Sequence, residues 1–141
     1  MPHSVKIVMI EDDHGHARLI EKNIRRANIS NEIEHFADGS SALEHLFSEK
    51  VLNNGPLLIL LDLNLPDMSG TDILEKIKSD ERLRRAPVVI LTTTDDKVEI
   101  QRCYDLGCNV YITKPVEYES FSDAIRQLGL FLSVIQAPAI N

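Results

Sequence analysis

The segment Leu57-Leu58-Ile59-Leu60-Leu61-Asp62-Leu63-Asn64 decides the fold of this chain. Five apolar residues in succession follow a turn signal, Asn53-Asn54-Gly55-Pro56, and read as a strand buried on both faces. A carboxylate inside such a strand would be costly to desolvate, so Asp62 must emerge at its carboxyl end. Open parallel sheets build their ligand crevices along that edge. Asp62 therefore marks a site and not a core.

Three further apolar runs end in polar groups of different chemistry. Residues Lys6 to Ile10 lead into Glu11-Asp12-Asp13, Val88 to Leu91 into Thr92-Thr93-Thr94, and Val110 to Ile112 into Thr113-Lys114-Pro115. If the four strands are parallel neighbours, carboxylates, a hydroxyl and an ammonium converge on one edge. The intervening stretches have helical spacing. Ala17, Ile20 and Ile24, with Leu19 and Ala27, predict a helix ending near Asn28, and Ile33 with Phe36 a short second strand. Gly39 to Phe47 predicts a helix capped by Asp38 or Ser40, and Ile73, Leu74 and Ile77 give the next helix its inner face. Asp95 or Asp96 would cap a helix carrying Val98, Ile100, Tyr104 and Leu106, which Gly107 would end. Phe121, Ala124, Ile125 and Leu128 mark the last helix. Short apolar runs alternating with helical stretches are the pattern of βα units around a parallel sheet.

Composition narrows the function classes. A chain of 141 residues with 43% apolar content fits one domain, residues 1–141, with a full core. The formal charge of −7, and no basic cluster denser than Arg82-Leu83-Arg84-Arg85, argue against direct nucleic-acid binding. No apolar stretch approaches a membrane span and no signal-peptide pattern opens the chain, so no membrane association and a cytoplasmic location are expected. Cys103 and Cys108 are too few for a disulfide framework or a zinc site and read as reduced, partly buried thiols.

Taken in order, the four strand-end motifs resemble the receiver domain of two-component response regulators, over about residues 5 to 128. The resemblance implies a flavodoxin-like, doubly wound five-stranded parallel sheet of order 2-1-3-4-5, with five helices. It implies a protein that accepts a phosphoryl group on Asp62 from a sensor histidine kinase and signals by conformational change and protein-protein interaction. Beyond phosphorylating and dephosphorylating itself at Asp62, it would be no enzyme. An exposed carboxylate can serve as such a nucleophile, and phosphoryl transfer needs charge neutralised around three equatorial oxygens. Clustered hard oxygen donors suit Mg2+. By resemblance, Asp12 and Asp62 ligate the metal, Glu11 does so directly or through water, and Asn64 contributes its backbone carbonyl, while Asp13 falls outside the pair. Lys114 would pair with Asp62 at rest and with a phosphate oxygen afterwards. Thr92 is the switch hydroxyl, Thr93 the small position governing access, and Tyr111 the aromatic switch position. The Lys114-Pro115 peptide is implied to be cis. His14 and His16, which flank Gly15, read as solvated residues at a helix start, and a transition-metal site there is the lesser alternative. His35 and His45 have no context in the sequence.

The tail refines the resemblance. Gly129-Leu130-Phe131-Leu132-Ser133-Val134-Ile135 is apolar on nearly every side, so a prolonged last helix would need a cover. A homodimer is the economical answer, with Leu128, Leu130, Phe131, Leu132, Val134 and Ile135 at the interface and residues 129–141 as the dimerisation arm. The run Ala124 to Phe131, then Gln136-Ala137-Pro138, together with Glu11 and Asp62-Leu63-Asn64-Leu65-Pro66, looks like single-domain regulators that accompany cyanobacterial and bacterial phytochromes. A bacteriophytochrome is then the implied kinase. Two alternatives remain open: a haloacid-dehalogenase-like aspartyl phosphatase, and a degenerate receiver acting as a scaffold. The first needs an acid two residues beyond the nucleophile, where this chain has Asn64. The second is disfavoured by the presence of every assigned side chain.

Overall fold

The computed structural model describes residues 5–52 and 55–114, together with Glu119 and Asp123. Five strands form one parallel sheet: β1 (Lys6–Ile10), β2 (Ile33–Phe36), β3 (Leu57–Leu61), β4 (Val88–Thr92) and β5 (Val110–Thr113), in the order β2-β1-β3-β4-β5. The described helices are α1 (His14–Arg26), α2 (Gly39–Leu46), α3 (Glu49–Leu52), α4 (Gly70–Ser79) and α5 (Lys97–Leu106). This is the parallel sheet that the alternating sequence pattern predicts, in the doubly wound order that the resemblance implies.

Strand alternation divides the core into two layers, one on each face of the sheet. Val8, Ile10, Ile59, Leu61, Val88 and Ile90 point to one face, where Ala42 and Leu46 of α2, Ile73, Leu74 and Ile77 of α4, and Cys103 of α5 cover them. Ile7, Met9, Leu58, Leu60, Val89 and Leu91 point to the other, against Ala17, Ile20 and Ile24 of α1. Every residue of β3 and β4 is buried, the physical reason that these strands are apolar without alternation.

The helix ends follow local chemistry. Asp13, Asp38, Ser69 and Asp96 cap α1, α2, α4 and α5, each side chain accepting a hydrogen bond from an N–H of the first turn. Between the alternatives left open, Asp38 and Asp96 are the caps. Gly107 closes α5 with φ of 109°, and Asn28 turns out of α1 with φ of 65°. The single turn α3 was not anticipated; the Ser48 hydroxyl accepts from Val51 N at 3.4 Å as it begins. Both cysteines are free and buried, more so than expected, while Val98 and Tyr104 of α5 are exposed.

Pro115 and the cis peptide implied with it, the residues Phe121, Ala124, Ile125 and Leu128 that mark the last helix, and the proposed interface residues Leu128, Leu130, Phe131, Leu132, Val134 and Ile135 lie outside the described residues. Among the described residues, no helix is long and apolar enough to cross a membrane.

Candidate active site at the carboxyl edge of the sheet

The register of the central strands sets the site. Ile10 pairs with Leu61, and Asp62 N donates to Ile10 O at 3.0 Å, so Glu11 and Asp62 leave adjacent strands side by side. Both are buried, at 2% and 6% exposure. Thr92, the last residue of β4, is fully buried, and Lys114 follows β5, its backbone N–H donating to Thr92 O at 2.7 Å.

Lys114 binds this group together. Its Nζ lies 2.5 Å from Glu11 Oε1 and 3.1 Å from Asp62 Oδ2, and its side chain is 7% exposed. Burial alone would lower its pKa, but the hydrogen bond to Glu11, the charges of Asp62 and Glu11 and the hydrogen bond to Asp62 outweigh that and hold it above the ordinary lysine value. The ammonium therefore stays charged. Glu11 is pushed the opposite way from a usual paired carboxylate. Burial and the charge of Asp62 raise its pKa, and the hydrogen bonds from Lys114 and the backbone of Asp13 offset this only in part.

Carboxylate oxygens of Glu11, Asp12 and Asp62 all lie within 4.8 Å of one another. A single ammonium leaves this trio with surplus negative charge, and an all-oxygen donor set fits a hard divalent cation. Asp12 is exposed beside an open depression whose wall is the loop from Leu63 to Ser69, so Asn64 lies at the same mouth. Asp13 stands apart from the trio: its Oδ1 accepts from His16 N at 2.9 Å as the cap of α1.

Several partners were not legible in sequence. The Asn64 amide donates to Thr92 Oγ1 at 3.2 Å and to Thr94 Oγ1 at 3.5 Å, so the Thr92 hydroxyl is already engaged from the β3–α4 loop. The Tyr111 hydroxyl donates to Thr94 O at 2.6 Å, and burial first, then nearby Cys103 and acidic groups, push its pKa up to about 12. His16 Nδ1 lies 3.1 Å from Lys114 Nζ, and His35 Nε2 lies 2.7 Å from Glu11 O, with the His14 ring edge-on to His35 at 5.5 Å. Asp67 grips the start of α2, accepting from Gly39 N and Ser40 N at 2.8 Å each and from Ser40 Oγ at 2.6 Å. His45 packs on Phe36, its Nε2 3.2 Å from Glu34 Oε2 without hydrogen-bond alignment.

A doubly wound parallel sheet that delivers an acidic pair, an aspartate, a threonine and a lysine to one edge defines a receiver domain. Residues 7–126 match the response regulator receiver domain, and the chain belongs to that family. Similar to it is a crystal structure of a response regulator receiver domain from Rhodospirillum rubrum, 66% identical, covering 96% of this chain and 98% of that one with a TM-score of 0.81. Response regulator Rcp1 of Synechocystis is 32% identical over 94% of this chain and 92% of its own length. The Mn(2+)-bound form of Rcp1 aligns with a TM-score of 0.73, at 30% identity over 94% of this chain and 96% of that one. The phosphorylated cyanobacterial phytochrome response regulator RcpA is 34% identical, covering 92% and 94% of the two chains with a TM-score of 0.75. The chain is a response regulator receiver whose relatives include regulators of phytochrome signalling.

Proposed function

We propose that Asp62 accepts a phosphoryl group from the phosphohistidine of a sensor histidine kinase, a bacteriophytochrome, with Mg2+ held by Glu11, Asp12, Asp62 and the backbone carbonyl of Asn64. The observation that carries this reading is the Lys114 ammonium spanning Glu11 and Asp62 at the sheet edge. A carboxylate oxygen of Asp62 attacks phosphorus while the bond from phosphorus to the donor nitrogen breaks, its electron pair leaving with the imidazole. Bound metal would supply charge neutralisation for the phosphoryl oxygens. Lys114 turns one N–H from Asp62 to a phosphoryl oxygen, and Thr92 releases Asn64 to donate its hydroxyl hydrogen to another. Because Tyr111 is bonded to the loop that follows Thr92, that movement reaches the surface of α5 and β5. Hydrolysis of the acyl phosphate at Asp62 resets the switch, and no external metabolite is processed.

The kinase assignment rests on likeness to the phytochrome regulators named above. The protein would act in the cytoplasm as a homodimer through Leu128, Leu130, Phe131, Leu132, Val134 and Ile135. No carboxylic acid stands two residues beyond Asp62, where Asn64 instead donates to Thr92, which disfavours the phosphatase reading. Incubation with acetyl phosphate and Mg2+ tests the central claim. Label on the wild type and none on Asp62→Asn supports the receiver; steady turnover of phosphomonoesters supports the phosphatase, and no label supports the scaffold. Sedimentation of the full chain against one ending at Leu128 tests the dimer, which an unchanged mass would defeat.

A further inference from the structure

An ammonium group has three N–H bonds and no lone pair, so its partners can be counted. At Lys114 the first N–H goes to Glu11 Oε1 at 2.5 Å, the second to Asp62 Oδ2 at 3.1 Å and the third to His16 Nδ1 at 3.1 Å. Because Lys114 can only donate, Nδ1 must be the acceptor, which fixes the neutral imidazole with its hydrogen on Nε2. The ring hangs from a rigid point: His16 N donates to Asp13 Oδ1 at 2.9 Å in the first turn of α1. His16 itself is exposed, unlike the other two partners of the ammonium, so no packing demand explains its place there.

We propose that His16 is a positioning residue for Lys114, taking the third ammonium hydrogen so that the cation stays aimed at Asp62 when the phosphoryl group arrives. The inference rests on the receiver reading above and adds a residue to it. When Lys114 turns one N–H from Asp62 Oδ2 to a phosphoryl oxygen, Glu11 and His16 are the two anchors that remain. Glu11 holds the ammonium from the floor of the site, beneath the sheet edge, and His16 from the solvent side. Without His16 the third N–H faces water, and the stem of Lys114, which has four rotatable bonds, is steered by carboxylates alone. His16 does not touch the reacting atoms, so its effect is confined to how often Lys114 is in place.

Three variants separate this role from a structural one. Asn at this position places a carbonyl oxygen near the Nδ1 position, whereas Leu keeps the bulk and removes the acceptor. The expected result is that His16→Leu slows labelling of Asp62 by acetyl phosphate about threefold to tenfold, the range for net loss of one ordinary intramolecular hydrogen bond, which is apt for a partner that faces solvent. His16→Asn recovers most of the rate, and both variants melt with the wild type because His16 is exposed. Nitrogen-15 NMR of the imidazole gives an independent readout: an unprotonated Nδ1 in the wild type, with a resonance that shifts in Lys114→Ala. His16→Leu labelled as fast as the wild type, His16→Asn as slow as His16→Leu, or a hydrogen on Nδ1 would each overturn the inference while leaving the receiver reading intact. A wild type that takes no label at Asp62 would overturn both.

Discussion

Gly70 offers a direct measure of how tightly the phosphorylation site is built. It is the first residue of α4, its N–H donates to Leu63 O at 2.9 Å, and a Cβ placed on it would lie 2.6 Å from Leu63 Cα and 3.0 Å from the carbonyl carbon of Asp62, overlapping that carbonyl oxygen. The glycine is needed for close approach. Carbon atoms in contact ordinarily sit about 3.5–4.0 Å apart, so Gly70→Ala must drive the helix and the 62–63 peptide apart by roughly 1 Å. The neighbours are backbone atoms, which cannot swing away as a side chain can. Overpacking of this kind costs about 1–3 kcal/mol, which for a domain of this size lowers Tm by roughly 3–12 °C. The functional loss should be larger in proportion, because a displacement of about 1 Å in a reacting group costs on the order of 100-fold in rate. Initial rates of Asp62 labelling by acetyl phosphate, with a thermal melt on the same sample, measure both. Gly15→Ala is the milder comparison: its Cβ would meet the Oδ1 of Asp13 at 3.1 Å, a side chain that can give by a few tenths of an ångström, and alanine favours a helix, so its Tm should change less than that of Gly70→Ala. Gly70→Ala that destabilises the fold yet labels at the wild-type rate would show that the peptide following β3 does not set the geometry of the nucleophile.

Lys114→Met leaves Glu11 and Asp62 facing each other without a cation; urea denaturation should show a loss of about 3 kcal/mol in metal-free buffer, partly restored by Mg2+, and a variant as stable as the wild type would contradict the electrostatic account. Asp67 is held at a pKa of about 2, below its ordinary 3.8, by the Ser40 hydroxyl first and the Gly39 and Ser40 N–H groups next. A depressed carboxylate adds stability that is present above its unfolded pKa and is lost as pH falls through the folded one, so acid melts should lose a component between about 3.8 and about 2 that is missing in Asp67→Asn. Burial pushes the thiols of Cys103 and Cys108 up to about 11 and about 12, so a disulfide reagent at pH 8 should leave both untouched in the folded protein and react with two equivalents after unfolding. Rapid reaction of either in the native state would place it nearer the surface than its packing indicates.

The parts of this site that could be read in sequence are those that a short stretch of chain fixes by itself. Apolar runs of three to five residues set between helical stretches read as strands in an α/β pattern, and the polar residues just beyond them sit at the edge, which is why Glu11, Asp62, Thr92 and Lys114 were legible together. The caps Asp38 and Asp96 and the terminator Gly107 follow from the same locality. The partners that escaped are long-range. Asn64 and Thr92 are 28 positions apart, Gly39 and Asp67 likewise 28, and His16 and Lys114 98, and each pairing depends on the relative placement of loops that periodicity does not encode. His35 had no sequence context because its partner is the backbone carbonyl of Glu11, a group every residue carries. The isolated turn α3 is too short for helical spacing to register.

The same division explains how a fold can hold a cluster of charges that repel one another. Glu11 and Asp62 cannot move apart without a slip between β1 and β3, and a slip of one residue would turn Ile7, Met9, Leu58 and Leu60 from one core layer toward the other. The cost of that slip is spread over both faces of the sheet, whereas the repulsion is confined to one pair of carboxylates. Packing therefore wins and the charges stay together. Lys114 relieves the pair from two strands away, through a β4–β5 register in which Thr92 pairs with Thr113. The site is thus held by apolar residues that take no part in its chemistry, and the electrostatic imbalance they enforce is what a cation and a phosphoryl group would answer. Substitutions in the core layers beneath the edge should accordingly alter phosphoryl transfer when they shift register or strand ends, and leave it unchanged when they only lower stability.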